Sequence, residues 1–446
     1  MYDKATSSLL QTLGIKIGDY VRFEKKGAKP IEGMLLMRPE SGDTNCLVLK
    51  LSTGYNIGIN PHEGALEKTK SGKTQEKIGG QAVNMAGTLK KDSLHLISTG
   101  GTISSRIDYQ TGAVHPQIDA SGLVKLYPRL EKFEPIFVRS IFSVLSENMN
   151  PTHWTQMAQA VKESFDDGAR GVVIAHGTDT MGYSAAALSY ALDGLGAPVI
   201  LTGAQRSPDR ASSDAAQNMF CSMAAAGANF SGVYLCMHAS TNDDINHLHF
   251  GTRVRKSHTS GRWAFKSVGA QPAAQVNRNA GEIKFFSELP GKNLQSKIIL
   301  KNKFSQNVHL AWAYPGISPK TISSWSEYDG VVVAGTGLGH LPADSRAKTS
   351  EKTVLSEIKQ LVDSGVVVAM APQALEGRVM LETYSSGRLL EDAGIIGNGA
   401  DWLAETAYVK LCWALGQSKD FKKACELMMT PMHNDISEFS AVNTGE

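Results

Sequence analysis

The sequence predicts an α/β protein: two doubly wound parallel-sheet domains preceded by a small all-β, barrel-like domain. Three observations predict it. From Leu94 onward, short apolar runs alternate with segments of helical period, the pattern of strands joined by crossover helices. A polar stretch from Gln271 to Lys303 interrupts the alternation, which then resumes. Residues 1–66 read differently, as short strand-like runs separated by turn residues.

The elements follow in order. Tyr20-Val21-Arg22-Phe23, Gly33-Met34-Leu35-Leu36-Met37 and Cys46-Leu47-Val48-Leu49-Lys50-Leu51 are strand candidates, with Glu40-Ser41-Gly42-Asp43 and Ser52-Thr53-Gly54 as turns. Strands this short and closely spaced predict a small barrel or sandwich. Residues 67–92 are rich in Lys, Gly, Ser and Gln without an apolar period, and read as a linker. In the first large domain, residues 93–303, the strand candidates are 94–98, 136–143, 171–175, 199–202 and 233–237. Asn150-Pro151 offers an N-cap followed by proline at the first helical position. Trp154, Met157, Ala158, Val161 and Phe165 then recur at helical spacing. In the smaller second domain, residues 304–446, strands are expected at 308–313, 331–334 and 366–371, and helices around 351–362 and 402–415. Ser364-Gly365 ends the first of these helices. The last ten residues are polar and read as a loose tail.

Composition narrows the functional classes. At roughly 150 residues per domain, a chain of 446 residues has a prior of about three domains. No run nears the ~18 apolar residues of a membrane span, and Met1-Tyr2-Asp3-Lys4 lacks a secretory pattern. Five cysteines without a C-x-x-C pair indicate neither a disulfide framework nor a zinc ribbon, so a cytoplasmic protein is expected. A net charge of +2 says little, although a large nucleic-acid footprint would normally bring a more basic balance or a basic stripe. The nearest approach to a metal cluster is His247-x-His249 beside Asp243 and Asp244, and ligation there is not expected.

Two segments carry the chemistry. One reads Leu96-Ile97-Ser98-Thr99-Gly100-Gly101-Thr102-Ile103-Ser104, the other Gly171-Val172-Val173-Ile174-Ala175-His176-Gly177-Thr178-Asp179-Thr180-Met181. Each is an apolar run ending in glycine and hydroxyl residues. Ligands of open α/β sheets bind just past the carboxyl ends of the strands, so both segments put threonines where chemistry is done. Taken singly, each has a plainer reading. Thr99-Gly100-Gly101-Thr102 is equally a tight strand-to-helix turn. Asp179 or Thr180 is an ordinary cap for a helix starting near Gly182. Lys256 alone is a solvated lysine, and Tyr109 a loop tyrosine. Neither a phosphate loop nor a dinucleotide fingerprint is present.

Taken together, the two segments are far more specific. From about Leu94 to its end the chain resembles the asparaginase/glutaminase (type I/II) family. Asp108-Tyr109-Gln110-Thr111-Gly112 resembles that family's mobile tyrosine loop, and Ser146-Glu147-Asn148-Met149-Asn150 its substrate-binding loop. Arg253-Val254-Arg255-Lys256-Ser257 resembles the segment with the catalytic lysine. Tyr328-Asp329-Gly330-Val331 through Gly335-Thr336-Gly337-Leu338-Gly339 resembles the second-domain strand and glycine turn, although Leu338 and His340 stand where asparagine is common. Ahead of these, Gly18-Asp19-Tyr20-Val21 and Pro30-Ile31-Glu32-Gly33 resemble the leading domain of the D-type, amidase subunits of archaeal glutamyl-tRNA(Gln) amidotransferases.

The resemblance implies catalytic roles for Thr102, Thr178, Asp179, Lys256 and Tyr109, and substrate binding by Ser146, Glu147, Gly101 and Gly177, with no metal. Thr102 is the favoured first nucleophile, with Tyr109 orienting it, and Thr178 is the other candidate. Lys256 would serve Thr178 as base, since a threonine hydroxyl needs activation. Asp179 would hold a substrate α-ammonium and Ser146 its α-carboxylate, with backbone N–H groups around Gly101 and Thr178 as oxyanion donors. The implied function is release of ammonia from glutamine or asparagine. A transamidase/kinase partner, the E-type subunit, would use that ammonia with ATP and Mg to convert mischarged Glu-tRNA(Gln) to Gln-tRNA(Gln). This chain would need no cofactor and no membrane, and would form the homodimer core of a heterotetramer. One alternative is a free-standing L-asparaginase with an extra β domain. Another is a non-catalytic scaffold, which gives no reason to retain Thr102, Thr178, Asp179 and Lys256 together.

Overall fold

The computed structural model describes residues 2–36, 43–52, 55–71, 85–86, 90–100, 105–107, 114–116, 127–208, 212–343 and 352–439. The leading strands are β1 (Tyr20–Glu24), β2 (Ile31–Leu35), β3 (Leu47–Leu51), β4 (Asn56–Ile59) and β5 (Ala65–Lys70). They form an antiparallel sheet in the order β4-β3-β2-β1-β5. The strand period of two decides its inner face: Val21 and Phe23 are buried while Tyr20 and Glu24 are exposed. A helix over Lys4–Thr12, which strand-like patterning did not predict, adds Leu10 to the core of Val21, Phe23, Leu35, Leu47 and Leu49. Asp3 caps it by accepting the Thr6 N–H at 2.7 Å. β5 runs on to Lys70, past the point where composition predicted a linker from residue 67. Its polarity has a structural cause. It is an edge strand in which only Leu66 is buried, and charged residues suit such an edge.

Within the remaining linker span, β6 (Met85–Ala86) pairs antiparallel with a strand of the large sheet, β10 (Ile136–Ser140). Between them in the chain come β7 (Ser93–Ser98) and a hairpin of β8 (Ser105–Ile107) and β9 (Val114–Pro116). The large sheet continues with β11 (Ala169–Ala175), β13 (Pro198–Thr202), β14 (Gly232–His238), β15 (Ile245–Phe250), β18 (Ala274–Asn277) and β19 (Ile283–Phe285). Short pairs lie outside it: β12 (Leu192–Asp193) with β20 (Ile299–Leu300), and β16 (Val254–Lys256) with β17 (Phe265–Ser267). The full order is β19-β18-β15-β14-β13-β11-β7-β10-β6.

The parallel part of the sheet is β10-β7-β11-β13-β14, flanked by antiparallel strands. Its central strands β7, β11 and β13 are buried on both faces, which is why they read as mainly apolar runs rather than alternating ones. Val172 and Ile174 face one core while Val173 and Ala175 face the other. The polar stretch over 271–303 supplies the antiparallel edge, where Ala274 and Val276 are buried and Gln275 and Asn277 are not.

Pro151–Asp166 is helical, capped by Asn150, whose side chain accepts the Thr152 N–H at 3.0 Å. The second domain is a parallel sheet in the order β21 (Val308–Trp312), β22 (Gly330–Gly335), β23 (Val367–Pro372). The Val354–Asp363 helix ends at Ser364, with Gly365 in a left-handed conformation at φ +95°. The Ala404–Gln417 helix packs on both domains. Its Ala407, Leu411 and Trp413 share one core with Val172, Ile174 and Leu188 of the first domain and Val332 and Ala369 of the second. The two α/β domains therefore bury each other.

The chain end is not loose where it is described. Ser437 N–H donates to Asp401 Oδ1 at 2.9 Å, and Arg253 Nε donates to Asn434 O at 2.5 Å. This segment is polar because its partners are polar. Residues 440–446 lie outside the described residues. Beneath it Lys410 and Asp435 form an ion pair at 2.6 Å with both side chains fully buried. Tyr190 Oη donates to Asp435 at 2.8 Å, and Lys410 Nζ donates to Thr430 O at 2.6 Å. Removing one member of a buried pair strands the other charge, at a cost of about 3–5 kcal/mol. Lys410→Met is expected to lower unfolding stability by that order, and Lys410→Met combined with Asp435→Leu to recover most of it. Denaturant titration of the three proteins checks this.

Candidate active site

The site begins with strand pairing. β7 and β11 run parallel with Ser98 opposite Ala175. Past the ladder, Thr99 donates both its N–H (3.1 Å) and its hydroxyl (3.0 Å) to Ala175 O. Gly100 sits at φ +100°, and a Cβ there would lie 2.8 Å from Val144 N. The sequence Thr99-Gly100 thus turns away from the sheet where only glycine fits.

On the β11 side, His176 N–H donates to Thr202 O at 2.8 Å. Gly177 follows, and a Cβ on it would meet Ser146 Cβ at 2.7 Å and Oγ at 2.8 Å. Gly203 makes room from the next strand, since its Cβ would come within 2.9 Å of Thr178 Cγ2. Ser146 is buried at the head of a short 3-10 turn, Ser146–Asn148. Its Oγ accepts the Asp179 N–H at 3.3 Å, and its carbonyl accepts the Thr180 hydroxyl at 2.6 Å. The Met181–Ala191 helix has no side-chain cap. The plain capping reading of Asp179 and Thr180 therefore fails: Thr180 is tied to Ser146, and the Asp179 carboxylate turns outward.

Lys256 closes the group. From the end of β16, its Nζ donates to Thr178 Oγ1 at 3.0 Å and to Asp179 Oδ1 at 2.6 Å. The Lys256 side chain is 15% exposed and that of Asp179 is 61% exposed. A half-exposed pair of this kind is worth only about 0–1 kcal/mol. It is poor as a stability device, and it leaves a carboxylate open to a second cation from solvent. An amine in contact with a hydroxyl and a carboxylate is suited to moving the hydroxyl proton.

The structure therefore brings Ser146, Gly177, Thr178, Asp179 and Lys256 together, with Glu147 exposed on the Ser146 turn. Gly101, Thr102 and Tyr109 lie outside the described residues. Asp243 is engaged by Arg262 and His238, and buried His249 places Nδ1 2.7 Å from Ser267 Oγ.

Sequence reasoning missed what holds β16 in place. Arg253 is 1% exposed and its Nη2 meets Asp401 Oδ1 at 2.8 Å. Arg255 Nε meets Glu405 Oε1 at 3.1 Å, and Thr406 donates its hydroxyl to Thr252 O at 2.8 Å. Two arginines just ahead of Lys256, Arg253 and Arg255, were the available signal. Nothing local to them points to carboxylates in the second domain.

Comparison with known proteins gives three family matches. Residues 93–290 match the N-terminal asparaginase domain, 307–428 the glutaminase/asparaginase C-terminal domain, and 15–68 the GatD N-terminal domain. The D-type subunit of the glutamyl-tRNA(Gln) amidotransferase of Methanothermobacter thermautotrophicus is 42% identical, over 99% of this chain and 98% of its own length. Its counterpart from Pyrococcus furiosus is 40% identical, over 98% of each. Among solved structures, the thermostable L-asparaginase of Thermococcus kodakarensis superposes with a TM-score of 0.68 at 28% identity, covering 77% of this chain and 99% of that one. L-asparaginase I of Vibrio cholerae gives 0.64 at 25% identity, covering 78% of this chain and all of that one.

The contact between Gly177 and Ser146 makes a prediction. In Gly177→Ala the new methyl must push Ser146 and the Thr178 segment apart. A displacement near 1 Å costs on the order of 10²-fold in rate. Amide hydrolysis is expected to fall by about that factor while the thermal midpoint stays close to wild type. Steady-state kinetics and a melting curve on the same preparation check it.

Proposed function

The chain belongs to the GatD family, the D-type subunits of glutamyl-tRNA(Gln) amidotransferases, and from that premise we propose that it is the amide-hydrolysing subunit of such an enzyme. The observation that carries the proposal is the contact of one lysine with both Thr178 and Asp179 at the carboxyl end of β11. Thr102 attacks the side-chain carboxamide carbon of glutamine or asparagine, its proton passing to a base. The tetrahedral oxyanion is held by backbone N–H groups. Collapse expels the amine with a proton added, giving ammonia and a threonyl ester. Thr178, with Lys256 taking its proton, serves the second half, in which water hydrolyses the ester. Asp179, exposed to solvent, holds the substrate's α-ammonium and Ser146 its α-carboxylate, with Glu147 a further substrate-binding residue. A bound ammonium shares the Asp179 charge and loosens its hold on Lys256, so substrate itself readies the base. Tyr109 orients Thr102.

No metal or organic cofactor enters this half-reaction. The ammonia passes to a transamidase/kinase partner, the E-type subunit, which spends ATP with Mg on the glutamate of mischarged Glu-tRNA(Gln). A homodimer of this chain forms the core of that complex, in the cytoplasm. No helix among the described residues is long and apolar enough to cross a membrane. The leading domain couples hydrolysis to the partner.

The test is ammonia release from glutamine and asparagine, by the chain alone and with the partner, ATP and Glu-tRNA(Gln). Strong stimulation by the complete set is expected. Fast asparagine hydrolysis indifferent to the partner would instead make the chain a free-standing asparaginase. Thr102→Ala and Thr178→Ala are each expected to abolish release, with the double variant little worse, because residues acting as a unit lose non-additively. Lys256→Arg is expected to be inactive too, since a guanidinium stays protonated at any working pH. A chain starting just before Met85, which keeps β6 on its sheet, is expected to retain basal hydrolysis and lose the stimulation.

A further inference from the structure

His176 lies directly before Gly177, Thr178 and Asp179, and the proposed chemistry gives it no role. It is fully buried, and its two ring nitrogens are both engaged. Nδ1 lies 2.6 Å from Gly177 O, and Nε2 lies 2.9 Å from Ser184 Oγ. Burial pushes its pKa down to about 4, so the ring is neutral near pH 7. A neutral imidazole has one donor and one acceptor nitrogen. A carbonyl oxygen accepts only, so Nδ1 carries the proton and donates to Gly177 O. Nε2 then accepts the hydroxyl proton of Ser184, itself fully buried on the Met181–Ala191 helix.

The bond partner is the carbonyl of the Gly177–Thr178 peptide. That peptide is trans, so its C=O and N–H point in opposite directions. Drawing the carbonyl toward the buried ring turns the Thr178 N–H away from it. Among the described residues this N–H has no hydrogen-bond partner. We propose that His176 is a positioning residue, set in its Nδ1–H tautomer by the Gly177 carbonyl and braced at Nε2 by Ser184, which holds the Gly177–Thr178 peptide so that the Thr178 N–H is aimed at the developing oxyanion. The proposal rests on the amide-hydrolysis reading above and deepens it. His176 touches no reacting atom. Its effect passes through one peptide plane, and Gly177 lets that plane lie against Ser146 without a side chain in the way.

The substitutions separate the two ring contacts. An asparagine amide occupies the place of Nδ1 and a glutamine amide that of Nε2. His176→Asn therefore keeps a donor for Gly177 O, whereas His176→Gln keeps only the Ser184 side and His176→Phe keeps neither. Removing one oxyanion donor costs roughly 10²–10³-fold in turnover. His176→Phe and His176→Gln are expected to lose about that much in kcat, with KM little changed. His176→Asn is expected to stay within about tenfold of wild type, and Ser184→Ala to fall between. The decisive readout is inhibition by aspartate β-semialdehyde, whose carbonyl becomes a tetrahedral oxyanion on threonine attack. Its affinity should fall in parallel with kcat across the four variants, while the affinity for the product amino acid stays at the wild-type value. A uniform loss in Asn, Gln and Phe variants alike, or equal weakening of aldehyde and product, would show a merely structural role and overturn the proposal. So would unchanged kcat in His176→Phe. If the wild-type chain, with partner and tRNA present, neither hydrolyses amide nor binds the aldehyde, the amidase reading falls and the proposal falls with it.

Discussion

The parallel register of β7 on β11, with Ser98 opposite Ala175, is the constraint on which the site depends. Numbered along the chain, the five parallel strands lie in the order 2-1-3-4-5. The chain leaves β7 in one direction to build β10, then returns past it to build β11. Connections therefore diverge between these two neighbours, and a crevice opens above them, the place where open α/β sheets bind ligands. A one-residue slip would exchange the two faces of β11, burying the wrong set of side chains in both cores. Backbone hydrogen bonding and core packing thus deliver Thr99 and His176 to the same edge before any functional side chain is considered.

The second constraint comes from across the domain boundary. Lys256 stands on a three-residue strand that has little packing of its own. Its position is set by Arg253 and Arg255, which are held by Asp401 and Glu405, and by the chain end closing on Arg253. The Arg253–Asp401 pair is dry, and a broken buried pair is costly. The Lys256–Asp179 contact at the cleft is wet on the aspartate side and cheap to rearrange. The expensive pairs are kept where geometry must not change, and the weak one where charges must redistribute on binding. The shared core of the two α/β domains keeps this scaffold from opening.

These differences explain what could be read from the sequence. The parallel strands were legible because most of them are buried on both faces and each run is predominantly apolar. Thr178, Asp179 and Lys256 were legible only jointly, because each alone has an ordinary explanation. The roles suggested for Ser146 and Gly177 came from resemblance, and the structure adds a steric reason for glycine at 177, the nearness of Ser146. Asp401 and Glu405 were not legible. Their link to Arg253 and Arg255 spans more than a hundred residues, and ion pairing has no sequence period. The Lys4–Thr12 helix escaped because it contributes little apolar surface: only Thr6 and Leu10 are buried. β5 escaped because an exposed edge strand has the composition of a linker.

The leading domain differs from the rest in how it is stabilised. Its core of Leu10, Ile15, Val21, Phe23, Leu35, Leu47, Leu49, Ile59 and Leu66 draws, among the described residues, on none beyond 66. The two α/β domains, in contrast, share side chains in one core, so neither could be removed without exposing the other. A module with its own core can be gained or lost without disturbing the register of β7 and β11 or the grip on Lys256. Both solved asparaginases superpose over nearly their whole length on about three quarters of this chain. An asparaginase fold is thus complete in about three quarters of the length of this chain. What such an independently cored module can add is a surface, and a surface is what a hydrolase needs when its ammonia must be consumed by another protein.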